Sequence, residues 1–273
     1  MRGYRDDAEA MLAARIGDAL DKCERGEIAV LPYLTPRERK RAERELCMRG
    51  QTEAAWFFGG YSDAERTCLF LLPEYLTVML DGISERNAEM MAALLGDTLE
   101  EAVYPLRVSG SGYRVLSHRD YLGSILALGL ERDALGDIAL QNEHEAVIFC
   151  TARIAEFLTE HLERVVSDRV RCKPYTVDEN FTDGRRYRAI SDTVASPRLD
   201  CVVAALANLS REDAQGVIRG GLVEVDFETE EQTDLLLTPP STISVRGFGR
   251  YILRSFDGET RKGRLRLRAD QLV

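Results

Sequence analysis

The stretch Ser196–Val225, SPRLDCVVAALANLSREDAQGVIRGGLVEV, decides how this chain is read. Leu199, Val202, Val203 and Leu206 recur at helical spacing. Ser196 is placed to cap that helix, and Pro197 falls at its first position, where a missing N–H costs nothing. A second helix is predicted from Ser210, whose hydroxyl can accept a free backbone N–H while Asp213 reaches back; Ala214, Val217 and Ile218 are its apolar stripe. Gly220 and Gly221 supply the left-handed conformations that end a helix, and Val223, Val225 and Phe227 alternate as in a strand. Arg198 and Arg211 stand at the two helix starts, where the helix dipole disfavours a cation. Two readings account for them. Either a phosphate is held between the arginines and the helix N–H groups, or they pair with Asp200, Glu212 and Asp213 on a solvated surface.

Outward from this stretch the charge is polarised. The formal net charge of the 273 residues is −10. Yet Arg246, Arg250, Arg254, Arg261, Lys262, Arg264, Arg266 and Arg268 face only Asp257 and Glu259 between Thr242 and Arg268. An acidic body with a basic end can bind phosphate through that end while its remainder repels polyanions. Asp257-Gly258 is a hairpin signal, and in the returning strand Leu265 and Leu267 lie on one face with Arg264, Arg266 and Arg268 on the other. In Arg246-Gly247-Phe248-Gly249 the glycines would let RNA backbone approach closely, and Tyr251 reads first as core and second as a residue stacking on a base.

Before the opening stretch the elements follow in a definite order. Residues 1–60 read as a helical N-terminal region: Met11, Leu12, Ile16 and Leu20 form one stripe, and Thr35-Pro36-Arg37-Glu38 announces a second, highly charged helix. Its run of Arg37, Arg39, Lys40, Arg41 and Arg44 is interleaved with Glu38, Glu43 and Glu45, which reads first as a solvated face and second as another RNA contact. A turn at Gly59-Gly60-Tyr61 leads to an apolar strand, Thr67–Leu72. Residues 61–173 then contain strands at 102–108, 137–140, 146–150 and 165–172, with helices from Ser117 to about Leu130 and from Thr151 to Leu162. That β-α-β-β-α-β order predicts a ferredoxin-like, RRM-like plait, an arrangement shared by many RNA-binding domains and by many others. Residues 174–193 are polar and read as a linker, leaving 194–273 as a C-terminal domain with a basic hairpin. The fold class is therefore α+β.

The patterns S-x-R-L-D, N-L-S-R-x-x-A and G-x-V-x-V in the opening stretch resemble the S4-type RNA-binding domain. Leu116-Ser117-His118-Arg119-Asp120-Tyr121-Leu122-Gly123, with Gly129-Leu130-Glu131-Arg132 and Gly136-Asp137-Ile138, resembles the central signature of YlmH-type bacterial proteins. Ile243–Arg250 and Gly258–Arg264 are similar to that family's C-terminus. The resemblance implies a non-enzymatic protein that binds rRNA or tRNA on the large ribosomal subunit and acts in rescue of stalled translation; the family has also carried a cell-division label. Matching positions are Arg198, Asp200, Ser210 and Arg211. Asp226 and Pro240-Ser241 depart from the family pattern.

The expected RNA-binding set is Arg198, Asp200, Ser210, Arg211, Gln215, Arg219, Arg246, Arg250, Arg261, Lys262 and Arg264, with the grip shared between the helices and the basic hairpin. His118 and Arg119 read first as structural, second as another RNA contact, and third as part of a catalytic pair, since no nucleophile motif accompanies them. Gly110-Ser111-Gly112 lacks the lysine of a phosphate loop and reads as a turn. Six cysteines, scattered singly, and three histidines predict reduced thiols and no metal site, and no cofactor is expected. With no long apolar run and a charged N-terminus, a cytoplasmic monomer is expected. An RNA-modifying enzyme targeted by an S4-type domain, and a cell-division adaptor, are the alternatives.

Overall fold

The apolar run at Thr67–Leu71 is explained by where it lies: it is the middle strand of a sheet covered on both faces. The computed structural model describes residues 7–83 and 86–273, and the chain divides into two compact units, Met1–Gly184 and Arg185–Val273.

The first unit begins with α1 (Asp7–Glu24), β1 (Ala29–Leu34), α2 (Pro36–Arg49), β2 (Ala55–Phe58) and β3 (Thr67–Leu71). After them come α3 (Glu74–Met79), α4 (Ala88–Leu95) and α5 (Asp97–Ala102). The remainder is β4 (Tyr104–Ser109), α6 (His118–Leu126), β5 (Leu135–Asn142), β6 (Glu145–Cys150), α7 (Ala152–His161), β7 (Arg164–Val165), β8 (Asp168–Arg169) and β9 (Arg171–Pro174). β3 lies between β1 and β2, antiparallel to both. Its Leu69 and Leu71 pack with Leu12, Ile16 and Leu46 of α1 and α2, while Cys68 and Phe70 point into a second core with Trp56, Leu76 and Met91.

The other sheet of this unit has the order β5-β6-β4-β9, antiparallel throughout. One of its faces buries Leu106, Val108 and Ile148 against Tyr121, Ile125 and Leu158 of α6 and α7. The opposite face contributes Ala139, Val147 and Phe149 to the core shared with Phe70 and Met91. Glycines permit this close layering. A Cβ on Gly136 would stand 2.4 Å from the Tyr33 ring, and one on Gly60 would stand 2.3 Å from the Phe149 ring. A buried polar bridge accompanies them: Asp137 accepts from the Tyr61 hydroxyl at 2.6 Å and from the Glu65 and Arg66 N–H groups. The Arg66 guanidinium donates to the carbonyls of Leu135, Tyr33 and Arg132.

The second unit comprises β10 (Tyr187–Val194), α8 (Leu199–Leu206), α9 (Arg211–Arg219), β11 (Val223–Val225), β12 (Glu228–Thr229), β13 (Ser241–Val245), β14 (Gly249–Glu259) and β15 (Leu265–Leu272). Its sheet has the order β10-β15-β14-β13-β11-β12. α8 and α9 cover one face through Leu199, Val202, Val203, Ala214 and Ile218, which meet Ile243, Tyr251, Leu253, Leu267 and Ala269.

Several sequence expectations are corrected. The region 1–60 is not wholly helical: β1 and β2 lie within it and pair with β3, because Ala29–Leu34 is too short and too apolar for an amphipathic helix. Met11 is exposed rather than part of the α1 stripe. Arg41 is buried rather than on a solvated face. Residues 165–172 are not one strand. Val166 adopts φ 57° in the tight β7–β8 turn, and β9 begins at Arg171. The polar segment 174–193 is not an irregular linker. Tyr175 and Phe181 pack on the first unit's core, and Tyr187–Val194 is a strand paired along its length with β15, its polarity suiting a sheet edge. α8 opens at Leu199 with Arg198 at the cap position, not at Ser196. The chain runs straight through Asp257-Gly258, which sits in a bulge of β14, and turns at Thr260–Arg264.

Candidate nucleic-acid interface

The residues singled out around α8 and α9 converge on one carboxylate. Asp200 lies in the first turn of α8 and has no accessible surface. Arg198 reaches it through Nε and Nη2, each at 3.1 Å, and Arg211 does the same from the start of α9. Gln215 donates to it at 2.8 Å, and Arg219 donates to Gln215 at 3.5 Å. The position of both cations at helix starts follows from this. Burial raises the Asp200 pKa, but hydrogen bonds from Arg198, Gln215, Arg211 and Cys201 outweigh it and hold the carboxyl far below its usual range. The arginines thus pair with Asp200, but that partner is buried rather than solvated. Their other edges remain at the surface; the Arg211 side chain is 57% exposed. Ser210 does not join the cluster. It caps α9, accepting from the Asp213 N–H at 3.1 Å and donating to the Asp213 carboxylate at 2.7 Å.

The N-terminus of α8 is closed by protein. The N–H groups of Leu199 and Asp200 donate to the carbonyls of Leu235 and Thr233, at 2.8 and 3.0 Å. A phosphate at this site would therefore meet guanidinium edges rather than helix amides.

The basic hairpin lies elsewhere on the sheet. Leu267 and Ala269 point into the core beneath α8, so Arg266 and Arg268, which alternate with them, face away from the helices. The arginine ladder and the Arg198–Arg211 cluster are consequently on opposite faces of the same sheet, and the structure does not bring them together. Several rungs have partners within the hairpin or across the sheet: Arg268 pairs with Asp257, Arg254 with Asp270 at 2.7 Å, and Arg264 donates to Thr193. Arg261 and Lys262 are exposed at the hairpin tip. Arg246 occupies the β13–β14 turn, where its N–H donates to the Leu222 carbonyl just beyond α9. The Arg250 guanidinium lies 5.6 Å from the Phe227 ring centroid. Asp226 and Phe227 form the two-residue β11–β12 turn, with φ of 48° and 68°. Such values are ones that Asp and Asn adopt more readily than most residues. Tyr251 is buried and donates to the Phe248 carbonyl, so it belongs to the core.

The remaining candidates belong to the first unit. His118 and Arg119 open α6 on the surface. Asp120 is engaged by the cap, accepting from the Ser117 N–H and hydroxyl at 2.9 and 2.7 Å, bonds that lower its pKa. Arg119 and Asp120 share an open cleft of about 660 Å³ with His161 and Arg164. In the Gly110-Ser111-Gly112 turn, the Ser111 N–H and hydroxyl both donate to Asp168, so the anion held there is the chain's own carboxylate. Among the described residues no group of three or more His, Cys, Asp and Glu converges as metal ligands, and no helix is long and apolar enough to cross a membrane.

Sequence reasoning missed a second groove, of about 860 Å³, between β4, β8, β9 and the loop that follows β4, lined by Arg107, Ser111, Glu163, Arg169, Arg171 and Lys173. The signal was present in the alternating cations of Arg169-Val170-Arg171-Cys172-Lys173.

Comparison with known proteins bears on this arrangement. Residues 102–179 match the family model described as "Putative RNA-binding domain in YlmH". Over 245 residues the chain is 28% identical to "Ribosome-associated protein quality control protein P2" of Bacillus subtilis, covering 89% of this chain and 87% of that one. A solved structure described as "Cell division protein ylmH from Streptococcus pneumoniae" is similar at 16% identity with a TM-score of 0.48, covering 64% of this chain and 95% of that one. The resemblance to YlmH-type proteins read from the sequence motifs thus recurs in a domain match and in a relative along most of the chain.

Proposed function

We propose that this chain is a non-enzymatic RNA-binding protein of the YlmH type that grips rRNA or tRNA on the large ribosomal subunit during rescue of stalled translation. On this reading 104–174 is a ferredoxin-like plait and 187–272 an S4-type domain. The β5-β6-β4-β9 order, which a β-α-β-β-α-β chain produces with two crossovers, supports the first assignment. The paired helices α8 and α9 on an antiparallel sheet support the second. The relative's name, a ribosome-associated quality control protein, supports the biological setting.

The observation that carries the proposal is the basic hairpin, which presents Arg261 and Lys262 to solvent at its tip and Arg266 on the face of β15 that packing does not use. Exposed guanidinium and ammonium groups on a strand recognise phosphate by position rather than base identity. Replacing these three by Ala in the full chain should weaken binding to large-subunit rRNA and flatten its dependence on salt. Each lost phosphate contact removes about 0.7 to 0.9 from the slope of log K against log salt. Co-sedimentation of the variant with large ribosomal subunits at the wild-type level would overturn the proposal. Turnover of rRNA in the presence of S-adenosylmethionine would favour an enzyme instead.

A further inference from the structure

The four-stranded sheet of the first unit is covered over only part of one face. Across β4 and β9, Arg107 opposes Lys173 and Ser109 opposes Arg171, so all four side chains share a face. The same register sets Val147 beside Arg107 and Phe149 beside Pro105. That face is therefore continuous with the apolar surface carrying Val147 and Phe149, which Tyr61, Phe70 and Met91 bury. RNA-binding plaits use such a face to stack bases. Here its central strands serve as core, and the uncovered part is the β4–β9 margin.

That margin is the groove of about 860 Å³. Arg169, Arg171 and Lys173 are exposed there, and among the described residues no ion pair engages them. Arg107 lies behind them, its guanidinium 4.5 Å from the Tyr175 ring centroid and its Nε 3.4 Å from Glu145. Glu163 is the acidic residue of the lining. Arg171 and Lys173 are alternate residues of β9 and so are roughly 7 Å apart, comparable with the reach of one extended nucleotide. The rim is built rather than loose. Asp168 fastens Ser111, the Gly110 N–H donates to the His144 carbonyl at 2.7 Å, and Arg114 donates to the Ser167 hydroxyl at 3.2 Å. This fixed loop carries Tyr113, which is 97% exposed. A tyrosine so exposed buries almost nothing, and it lies two residues along the loop from Ser111, which lines the groove; cations together with an open aromatic are the composition of a single-strand binding surface.

We propose that this groove holds a single-stranded RNA segment, its phosphates along Arg169, Arg171 and Lys173 and one base stacked on Tyr113. The proposal rests on the RNA-binding reading above but concerns a different surface. The test uses the full chain and a fluorescein-labelled uridine dodecamer, followed by anisotropy across a salt series. The variant R169A/R171A/K173A should bind at least about tenfold more weakly with a salt slope lower by about 2, and Y113A about fivefold or more weakly. Binding by the triple variant within twofold of wild type, at an unchanged slope, overturns the inference. As a second measurement on the unaltered chain, 4-thiouridine in the oligomer should crosslink to the peptide containing Tyr113; crosslinks confined to residues outside 104–174 would also overturn it. R261A/K262A/R266A, assayed in parallel, separates the two proposals. Loss only in the hairpin variant sinks this groove and leaves the hairpin reading standing, and loss only in the groove variant does the reverse.

Discussion

Asp200 is the residue on which the second unit's local order depends. With no accessible surface and donors from Arg198, Arg211 and Gln215, it is stable as a carboxylate only while they remain. Asp200→Asn removes the charge and sets an amide donor against guanidinium donors; a cost of about 3 kcal/mol is expected. Faster hydrogen exchange at the Val202 and Val203 amides of the full chain would register it. The pH dependence has a definite sign. Because the folded pKa is depressed, the stabilisation is complete above the unfolded value near 4, and is lost as pH falls through the folded value. Exchange protection of α8 should therefore decline on acidification below about pH 4, less steeply in Asp200→Asn; parallel declines would contradict this. Cysteines give a second check. Burial pushes Cys68 and Cys150 up to about 12, whereas Cys47 is exposed. Under native conditions a thiol reagent should label Cys47 quickly and Cys68 and Cys150 only after unfolding.

At the scale of elements, much of the family-like central signature has a packing role. Ser117 and Asp120 form the capping box of α6, Tyr121 is buried, and Gly136-Asp137 joins β5 to the Tyr33 ring and to Tyr61, Glu65 and Arg66. Gly136→Ala would force a methyl against Tyr33 at 2.4 Å, and overpacking of this kind costs about 1–3 kcal/mol. Gly123→Ala, inside α6 with nothing within 4 Å of the added methyl, should instead stabilise the unit by up to about 1 kcal/mol. Opposite shifts in the thermal unfolding of the two variants are the expected result. Equal shifts would show that neither glycine is placed for the reason given. The element boundaries moved where short-range signals competed. Ser196-Pro197 has every mark of a helix start, yet Leu237 bonds back to the Pro197 carbonyl, and the helix opens two residues later.

For the molecule as a whole, the second unit has its own sheet and its own apolar core, so residues 185–273 expressed alone should unfold in one cooperative transition. A fragment without a sharp transition would refute that independence. Element types were legible wherever periodicity was local. The stripes of α8, α9 and α7, the alternation of β15, the capping boxes at Thr35 and Ser117 and the side-chain cap at Ser210 could all be read from residues three or four apart. Those patterns also decided that Arg266 and Arg268 would be exposed, because alternation beside Leu267 and Ala269 permits nothing else. What periodicity could not decide was which faces meet. β1 and β2 were hidden among helices until β3 paired with both. The opposite placement of the ladder and the Arg198–Arg211 cluster follows from the side on which α8 and α9 pack, and the basic groove exists because the covering of a sheet face ends at β4 and β9. Local sequence determines the spacing of side chains along an element. Contacts between residues far apart in the chain, such as Tyr33 against Gly136 or Arg211 against Asp200, decide which of those side chains share a surface, because burial and charge pairing act through space.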